Sequence, residues 1–152
     1  MLVIRRESDY AARVLLYLAM MPPGTSITAR DIARERLIPA GLARTLITRL
    51  VRSGLLTSRR GRSGGFGLAR PPEQITLLEV VEAIEGPLLL NPCTEEPQEC
   101  PLMPVCPVHE AWVEARRRIR EHLGQITFQD LARRGEELNP STLPLPAATE
   151  RE

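Results

Sequence analysis

The chain has 152 residues, enough for one ordinary hydrophobic core or a small domain with a helical extension, but not for two large domains. Its formal net charge is +1, and no run of about 18 apolar residues could span a bilayer. Charged residues interrupt the N-terminal apolar run, unlike the apolar core of a secretory signal. We therefore expect a cytoplasmic protein that makes no membrane contact.

Charge is distributed very unevenly along the chain. Residues 1 to 75 contain thirteen arginines and five acidic residues, whereas residues 76 to 152 contain seven arginines and fourteen acidic residues. A basic half of this kind can dock on the phosphates of a nucleic acid. The first half therefore predicts a nucleic-acid-binding region.

Three short helices are predicted at the start of the chain. Apolar residues at helical spacing predict the first over Tyr10 to Met21. Thr28, three residues before Asp31, predicts the N-cap of the second. The third opens near Pro39 and ends at Ser53.

The third helix has an apolar and a polar side. Its apolar residues are expected to face the core: Leu42, Leu46, Leu50 and Val51. Its polar residues are expected to face solvent: Arg44, Thr45, Thr48, Arg49 and Arg52. Such a polar side could read a duplex.

A basic hairpin is predicted next, with strands over Leu55 to Arg59 and Phe66 to Arg70. The Gly64-Gly65 pair in its turn is expected to let the backbone approach a duplex. Three helices followed by a basic hairpin is the order of a winged helix-turn-helix. The expected fold class is therefore mainly α, with a small β-hairpin wing.

The candidate DNA contacts are the exposed residues of these helices and of the wing. They are Thr28, Ala40, Gly41, Arg44, Thr45, Thr48, Arg49, Arg59, Arg60, Arg62 and Ser63. Arginine can fork onto guanine or pair with phosphate. The alternative is an ordinary solvated charged face.

The second half begins with a capping box, Thr76 with Glu79, and its helix ends at Gly86. A long loop with six prolines and all three cysteines follows, and then a long helix from Val108 to Leu123. The long helix carries an apolar stripe that needs a partner surface: Val108, Trp112, Ala115, Ile119, Leu123 and Ile126. A last short helix starts at Thr127 and Asp130.

Four segments are expected from these patterns. Residues 1–75 form the DNA-binding domain, and residues 76–107 form a linking helix with the cysteine-containing loop. Residues 108–135 form the long helix and the short terminal helix, and residues 136–152 form a disordered tail.

The three cysteines follow the spacing Cys93-x6-Cys100-x5-Cys106. An odd number of clustered cysteines argues against a disulfide framework and for metal binding. Thiolates favour zinc or an iron-sulfur cluster, and the loop lacks the paired spacing of common zinc modules. His109 lies three residues after Cys106 and is a candidate fourth ligand, although a lone histidine there often only caps a helix.

Several motifs together resemble one family. The run Arg60 to Arg70, followed by Ile75-Thr76-Leu77 and Glu85-Gly86-Pro87, is similar to the Rrf-two family of iron-sulfur winged-helix transcription regulators. The resemblance covers residues 2 to about 135. It implies a homodimer that crosses through the long helix, and it matches the three cysteines to the cluster-binding set.

The resemblance leaves two fourth ligands. Cys106-x2-His109 resembles members of the IscR type, in which a histidine completes a 2Fe-2S cluster. The segment around Asp9 resembles members of the NsrR type, in which an aspartate of the partner subunit ligates a 4Fe-4S cluster. We favour Asp9, because a ligand from the partner would link the cluster to the DNA-binding half.

The expected function is a homodimeric transcription regulator, a repressor, that binds operator DNA and senses nitric oxide, redox state or iron supply. An enzyme is not expected, because no nucleophile-base pair, phosphate loop or acid pair stands out. One rival is a winged-helix regulator with structural zinc or thiol-based sensing. Another is an electron-transfer iron-sulfur protein, which the basic first half argues against.

Overall fold

The computed structural model describes residues 4–94 and 100–138. Its elements are α1 (Arg6–Ala19), α2 (Ala29–Glu35), α3 (Ala40–Arg52), β1 (Leu56–Arg59), β2 (Gly65–Leu68), α4 (Leu77–Glu85), α5 (Pro107–Gln125) and α6 (Phe128–Leu138). Short 3₁₀ turns cover Pro72–Gln74, Pro92–Thr94 and Met103–Val105. Six α-helices and one hairpin among the described residues confirm the expected fold class. Within the described ranges, every helix is too short or too polar to cross a bilayer.

Most helix boundaries fall within about two residues of the prediction, and two differ by more. α1 begins at Arg6 rather than Tyr10, and its first turn carries Glu7, which the positive end of the helix dipole favours. α6 extends to Leu138, beyond Gly135, where a tail was expected. A Cβ at Gly135 would lie 3.1 Å from the Met20 methyl, so this turn packs on the protein. Residues 139–152, the rest of the expected tail, lie outside the described residues.

Both predicted helix caps are confirmed. The Thr28 hydroxyl accepts the Asp31 amide at 3.2 Å, and the Thr76 hydroxyl accepts the Glu79 amide at 3.3 Å. The Glu79 carboxylate accepts the Thr76 amide in return at 2.8 Å and pairs with Arg70 at 2.7 Å. Burial opposes ionisation of Glu79, but these hydrogen bonds hold its pKa below the usual value.

The hairpin is anchored to the helices by a short third segment. β1 and β2 pair antiparallel, with Leu56 opposite Leu68 and Arg59 opposite Gly65. Ile27, just before α2, exchanges two backbone hydrogen bonds with Phe66, at 3.0 and 2.8 Å. The base of the wing is therefore held by the helix-turn-helix.

One hydrophobic core runs through the described helices and past residue 75. Its largest fully buried side chains are Tyr17, Phe128, Leu15, Ile32, Leu46, Ile47, Leu50, Ile75, Val14 and Val80. α4 and α6 thus pack with the first three helices. The prediction for α3 is confirmed: Leu46 and Leu50 are buried, and Leu42 and Val51 are half-buried and packed against the same core. Ala43 and Ile47, which the prediction left out, are buried beside them, so the core-facing side of α3 is wider than predicted.

Candidate functional site

α3 presents a polar surface of four exposed residues, Arg44, Thr45, Thr48 and Arg52, all predicted to face solvent. The buried residues on the other side of the helix fix its orientation on the core. The Thr45 and Thr48 hydroxyls donate to the carbonyls one turn earlier, at 3.2 and 2.9 Å, so both are held against the helix. Their oxygens keep lone pairs that can accept a hydrogen bond from a base or a water.

Arg49, expected on the same surface, is placed differently. Its guanidinium donates to the Ile84 carbonyl at the end of α4 and lies 3.7 Å from the Glu7 carboxylate. The solvent-facing prediction was therefore right only in part for Arg49: its side chain is 40% exposed, but the Ile84 carbonyl and the Glu7 carboxylate attract its charge toward the protein body.

The tip of the wing carries exposed arginines. Arg59, Arg60, Arg62 and Ser63 are all exposed. Arg59 donates to the Gly24 carbonyl at 3.2 Å, so it also ties the wing to the loop after α1. Within residues 4–94 and 100–138, Arg60 and Arg62 make no ion pair. Their charges are available to an outside partner such as a phosphate.

The wing glycines have a role inside the chain. A Cβ at Gly64 would lie 2.4 Å from the Arg59 carbonyl oxygen, and one at Gly65 would lie 2.6 Å from the Ile27 carbonyl oxygen. Any larger side chain would break the turn or the Ile27 pairing. In the structure the two glycines let the wing approach the chain's own backbone, and their approach to a duplex stays a prediction.

The remaining predicted contacts lie at helix starts. Thr28 is engaged as the cap of α2 with Asp31. Ala40 and Gly41 open α3 and are exposed, beside Arg44. Small residues here leave room for a duplex backbone to come near the first turn of α3.

The cysteine loop is residues 87–106, of which 87–94 and 100–106 are described. All three cysteines lie in these described parts. Cys93 sits in the Pro92–Thr94 turn, and Cys106 is the N-cap of α5. Cys93, Cys100 and Cys106 are all free thiols and half-buried. His109 Nδ1 lies 3.5 Å from Cys93 Sγ, so the fold brings the candidate histidine to the first cysteine.

The described residues do not form a complete metal centre. No three His, Cys, Asp or Glu side chains converge among them, so the three thiols are not preassembled. The donor set still fits an iron-sulfur cluster chemically, because it offers three thiols and one imidazole on a loop with little core of its own. Binding and ordering of such a loop occur together.

Asp9 is exposed on the first turns of α1. Its carboxylate pairs with Arg13 at 2.7 Å, one helical turn away. In one chain, Asp9 therefore points to Arg13, and its expected role depends on a second subunit.

The structure adds loop anchors that the sequence analysis missed. Arg116 of α5 donates to the Thr94 carbonyl at 3.0 Å, next to Cys93. Glu82 of α4 accepts the Leu88 amide at 3.3 Å and pairs with Arg120 of α5. In sequence, these charges looked like an ordinary polar helix face, and no spacing rule pairs residues so far apart.

α5 is weakly covered along its predicted stripe. No side chain of α5 is buried. Val108 and Trp112 of the stripe are 59 and 40% exposed, whereas Ala115, Ile119, Leu123 and Ile126 are half-buried. The polar side of the helix is occupied by its own ion pairs. Arg117 and Arg118 donate to the Glu114 carboxylate, and these hydrogen bonds lower the pKa of Glu114 to about 2. The first part of the stripe, at Val108 and Trp112, is thus open to a partner surface.

Comparisons with known proteins agree with this geometry. The model of the Rrf2 family, described as an iron-dependent transcriptional regulator, matches residues 4–134. Protein rrf2 of Nitratidesulfovibrio vulgaris is 35% identical over 127 residues, which cover 84% of this chain and 85% of that protein.

Two solved structures are similar in fold. CymR, the global cysteine regulator of B. subtilis, is 26% identical with a TM-score of 0.70, over 88% of this chain and 98% of CymR. IscR of T. potens is 23% identical with a TM-score of 0.74, over 93% of this chain and 94% of IscR, which shows the shared fold.

Proposed function

Because the chain belongs to the Rrf2 family of transcription regulators, we propose that it binds operator DNA as a homodimeric repressor controlled by an iron-sulfur cluster on Cys93, Cys100 and Cys106. The single observation behind this proposal is that one small fold carries both exposed arginines, on α3 and the wing, and a loop with three free thiols. The signal is nitric oxide, redox state or iron supply, each of which can change the state of such a cluster.

DNA binding is supported by the two surfaces that protrude from the core. α3 offers Arg44, Thr45 and Thr48, and the wing offers Arg60 and Arg62. A helix that enters the major groove and a hairpin beside it is the docking geometry of helix-turn-helix proteins. α3 would then contact base edges, while the wing would bind the phosphates of the DNA backbone.

We predict that Arg60→Gln and Arg62→Gln each weaken binding to every duplex sequence. Each should also reduce the slope of log affinity against log salt by about one, because one phosphate contact is lost. The measurement is a fluorescence-anisotropy titration over a salt series. Arg133→Gln, on the exposed side of α6, is the matched control and should leave the slope unchanged. An unaltered slope in both wing variants would remove them from the interface.

Cluster binding is supported by the character of the cysteine loop. The three thiols are partly accessible, and the loop around Cys93 is held by Asn91 and Arg116 rather than by a core. A bound cluster would supply the missing order and a reactive centre. Asp9 of the partner subunit is our fourth ligand, which corresponds to a 4Fe-4S cluster. The Cys93–His109 contact favours a second candidate, His109 with a 2Fe-2S cluster.

We expect protein purified without oxygen to be brown and to contain iron and sulfide. Asp9→Ala should change the visible spectrum and the iron content, while His109→Ala should keep both, because Asp9 contributes an oxygen ligand. His122→Ala is the control for loss of an exposed histidine. The opposite pattern would assign His109. Colourless protein with bound zinc would contradict the cluster and leave a structural zinc site.

A further inference from the structure

The last turn of α4 lies directly before the cysteine loop and is fixed to the first turn of α1. The Glu85 carboxylate accepts the Arg5 amide at 3.0 Å and the Ser8 hydroxyl at 2.6 Å. Ser8 is only 2% exposed, so this hydrogen bond is made away from water and its loss would leave a buried polar group. The start of α1 and the end of α4 are therefore joined through the Glu85 carboxylate.

The same turn of α4 also holds the recognition helix, α3. The Ile84 carbonyl is one of the last four of α4, which have no partner within the helix. The Arg49 guanidinium donates to this carbonyl. The negative end of the helix dipole adds to the attraction. The 3.7 Å pair with Glu7 is partly exposed and contributes less, so the carbonyl contact is the main one.

Arg49 is the polar residue of α3 that leaves the DNA-facing surface. Arg44, Thr45 and Thr48 are exposed, whereas Arg49 is half-buried with its guanidinium turned to α4 and α1. Its Nη2 and Nη1 atoms face the Ile84 carbonyl and the Glu7 carboxylate, so a phosphate would have to compete with both groups for the guanidinium. The geometry therefore separates Arg49 from the residues that we propose contact DNA.

On its other side, the end of α4 is joined to the cysteine loop and α5. Glu82 accepts the Leu88 amide at 3.3 Å, and Arg120 pairs with the same carboxylate. Further along the loop, Arg116 donates to the Thr94 carbonyl beside Cys93. A change in the order of the loop thus acts on the turn to which Arg49 is attached.

We propose that Arg49 is a positioning residue that couples the state of the cysteine loop to the orientation of α3. It does so by joining α3 to the Ile84 carbonyl, and it makes no contact with DNA. This inference rests on the proposed function, since it needs a loop whose state alters operator affinity. The coupling is a difference in DNA affinity between two states of the loop, which is a measurable quantity.

The test compares cluster-loaded and cluster-free protein, using a duplex that the wild-type protein recovers from a random-sequence pool. The measured quantity is the ratio of the two dissociation constants, the larger divided by the smaller, together with the slope of log affinity against log salt. Arg49→Gln should reduce the ratio at least about 5-fold and leave the slope unchanged. Glu7→Gln should shift the ratio in the same direction but less. Because a carboxylate does not bind a phosphate, this effect cannot come from a lost DNA contact.

Two variants separate coupling from other effects. Arg44→Gln should weaken both states equally and preserve the ratio, as a direct contact would. Arg133→Gln should change neither quantity. A purely structural role of Arg49 would lower the melting temperature and both affinities together, with the ratio intact.

If wild-type protein shows a ratio above one and Arg49→Gln keeps it while the salt slope falls by about one, Arg49 is a phosphate contact and the inference is wrong. A wild-type ratio of one would instead overturn the proposed function, and the coupling with it. The two failures are therefore distinguished within one set of titrations.

Discussion

Trp112→Glu is expected to convert the protein to a monomer and to weaken operator binding by about 100-fold or more. Trp112 is 40% exposed on α5, and Val108, one turn earlier, is 59% exposed. A carboxylate at the centre of an apolar interface would be buried without a partner, which costs several kcal/mol. Two half-sites that are no longer linked lose the gain of about 10²- to 10⁴-fold that comes from tethering.

The measurement is sedimentation equilibrium with a DNA titration of the same sample. Gln125→Glu is the control, because it places the same carboxylate at an exposed position on the far side of α5. Circular dichroism should show equal helix content in the two variants. A Trp112→Glu protein that sediments as a dimer would show that α5 does not form the subunit contact.

Phe128→Ala is expected to lower the free energy of unfolding by about 3–5 kcal/mol. Phe128 is fully buried in the common core, and its amide donates to the Ile75 carbonyl at 2.9 Å. Because domains of this size are stable by only about 5–15 kcal/mol, much of the molecule's stability depends on this one ring. α6 would thus be required for a folded DNA-binding region, although it lies far along the chain.

Urea titration of Phe128→Ala measures this loss. Leu138→Ala, at a 66% exposed position in the same helix, is the matched control and should change stability by less than about 0.5 kcal/mol. Equal stability of the two variants would mean that α6 is dispensable for the core.

The local elements were predictable because each has a short-range cause. Caps such as Thr28 and Thr76 act within three residues, and the apolar periodicity of α3 predicted its existence and its bounds within about one residue. The basic wing was visible from its glycines and arginines. The resemblance of the wing motif to a known family added the cysteine set, which spacing alone left open between zinc and an iron-sulfur cluster.

The long-range contacts were not predictable in this way. Nothing in the local pattern shows that Arg49 would turn to Ile84, because 35 residues separate them. The same holds for Ser8 with Glu85, and for the place of Phe128 in the core of the first three helices. Such pairings depend on how the helices pack, and they carry the coupling that we propose.

The central claim is that the three-thiol loop controls DNA binding through an iron-sulfur cluster. The most direct test is the affinity of one anaerobic preparation for the selected duplex before and after the iron is removed by a chelator, with iron and sulfide measured in both samples. The account predicts that the affinity differs at least about 5-fold between the two states and that Cys106→Ala abolishes the difference. Equal affinity of an iron-loaded and an iron-free sample would contradict it.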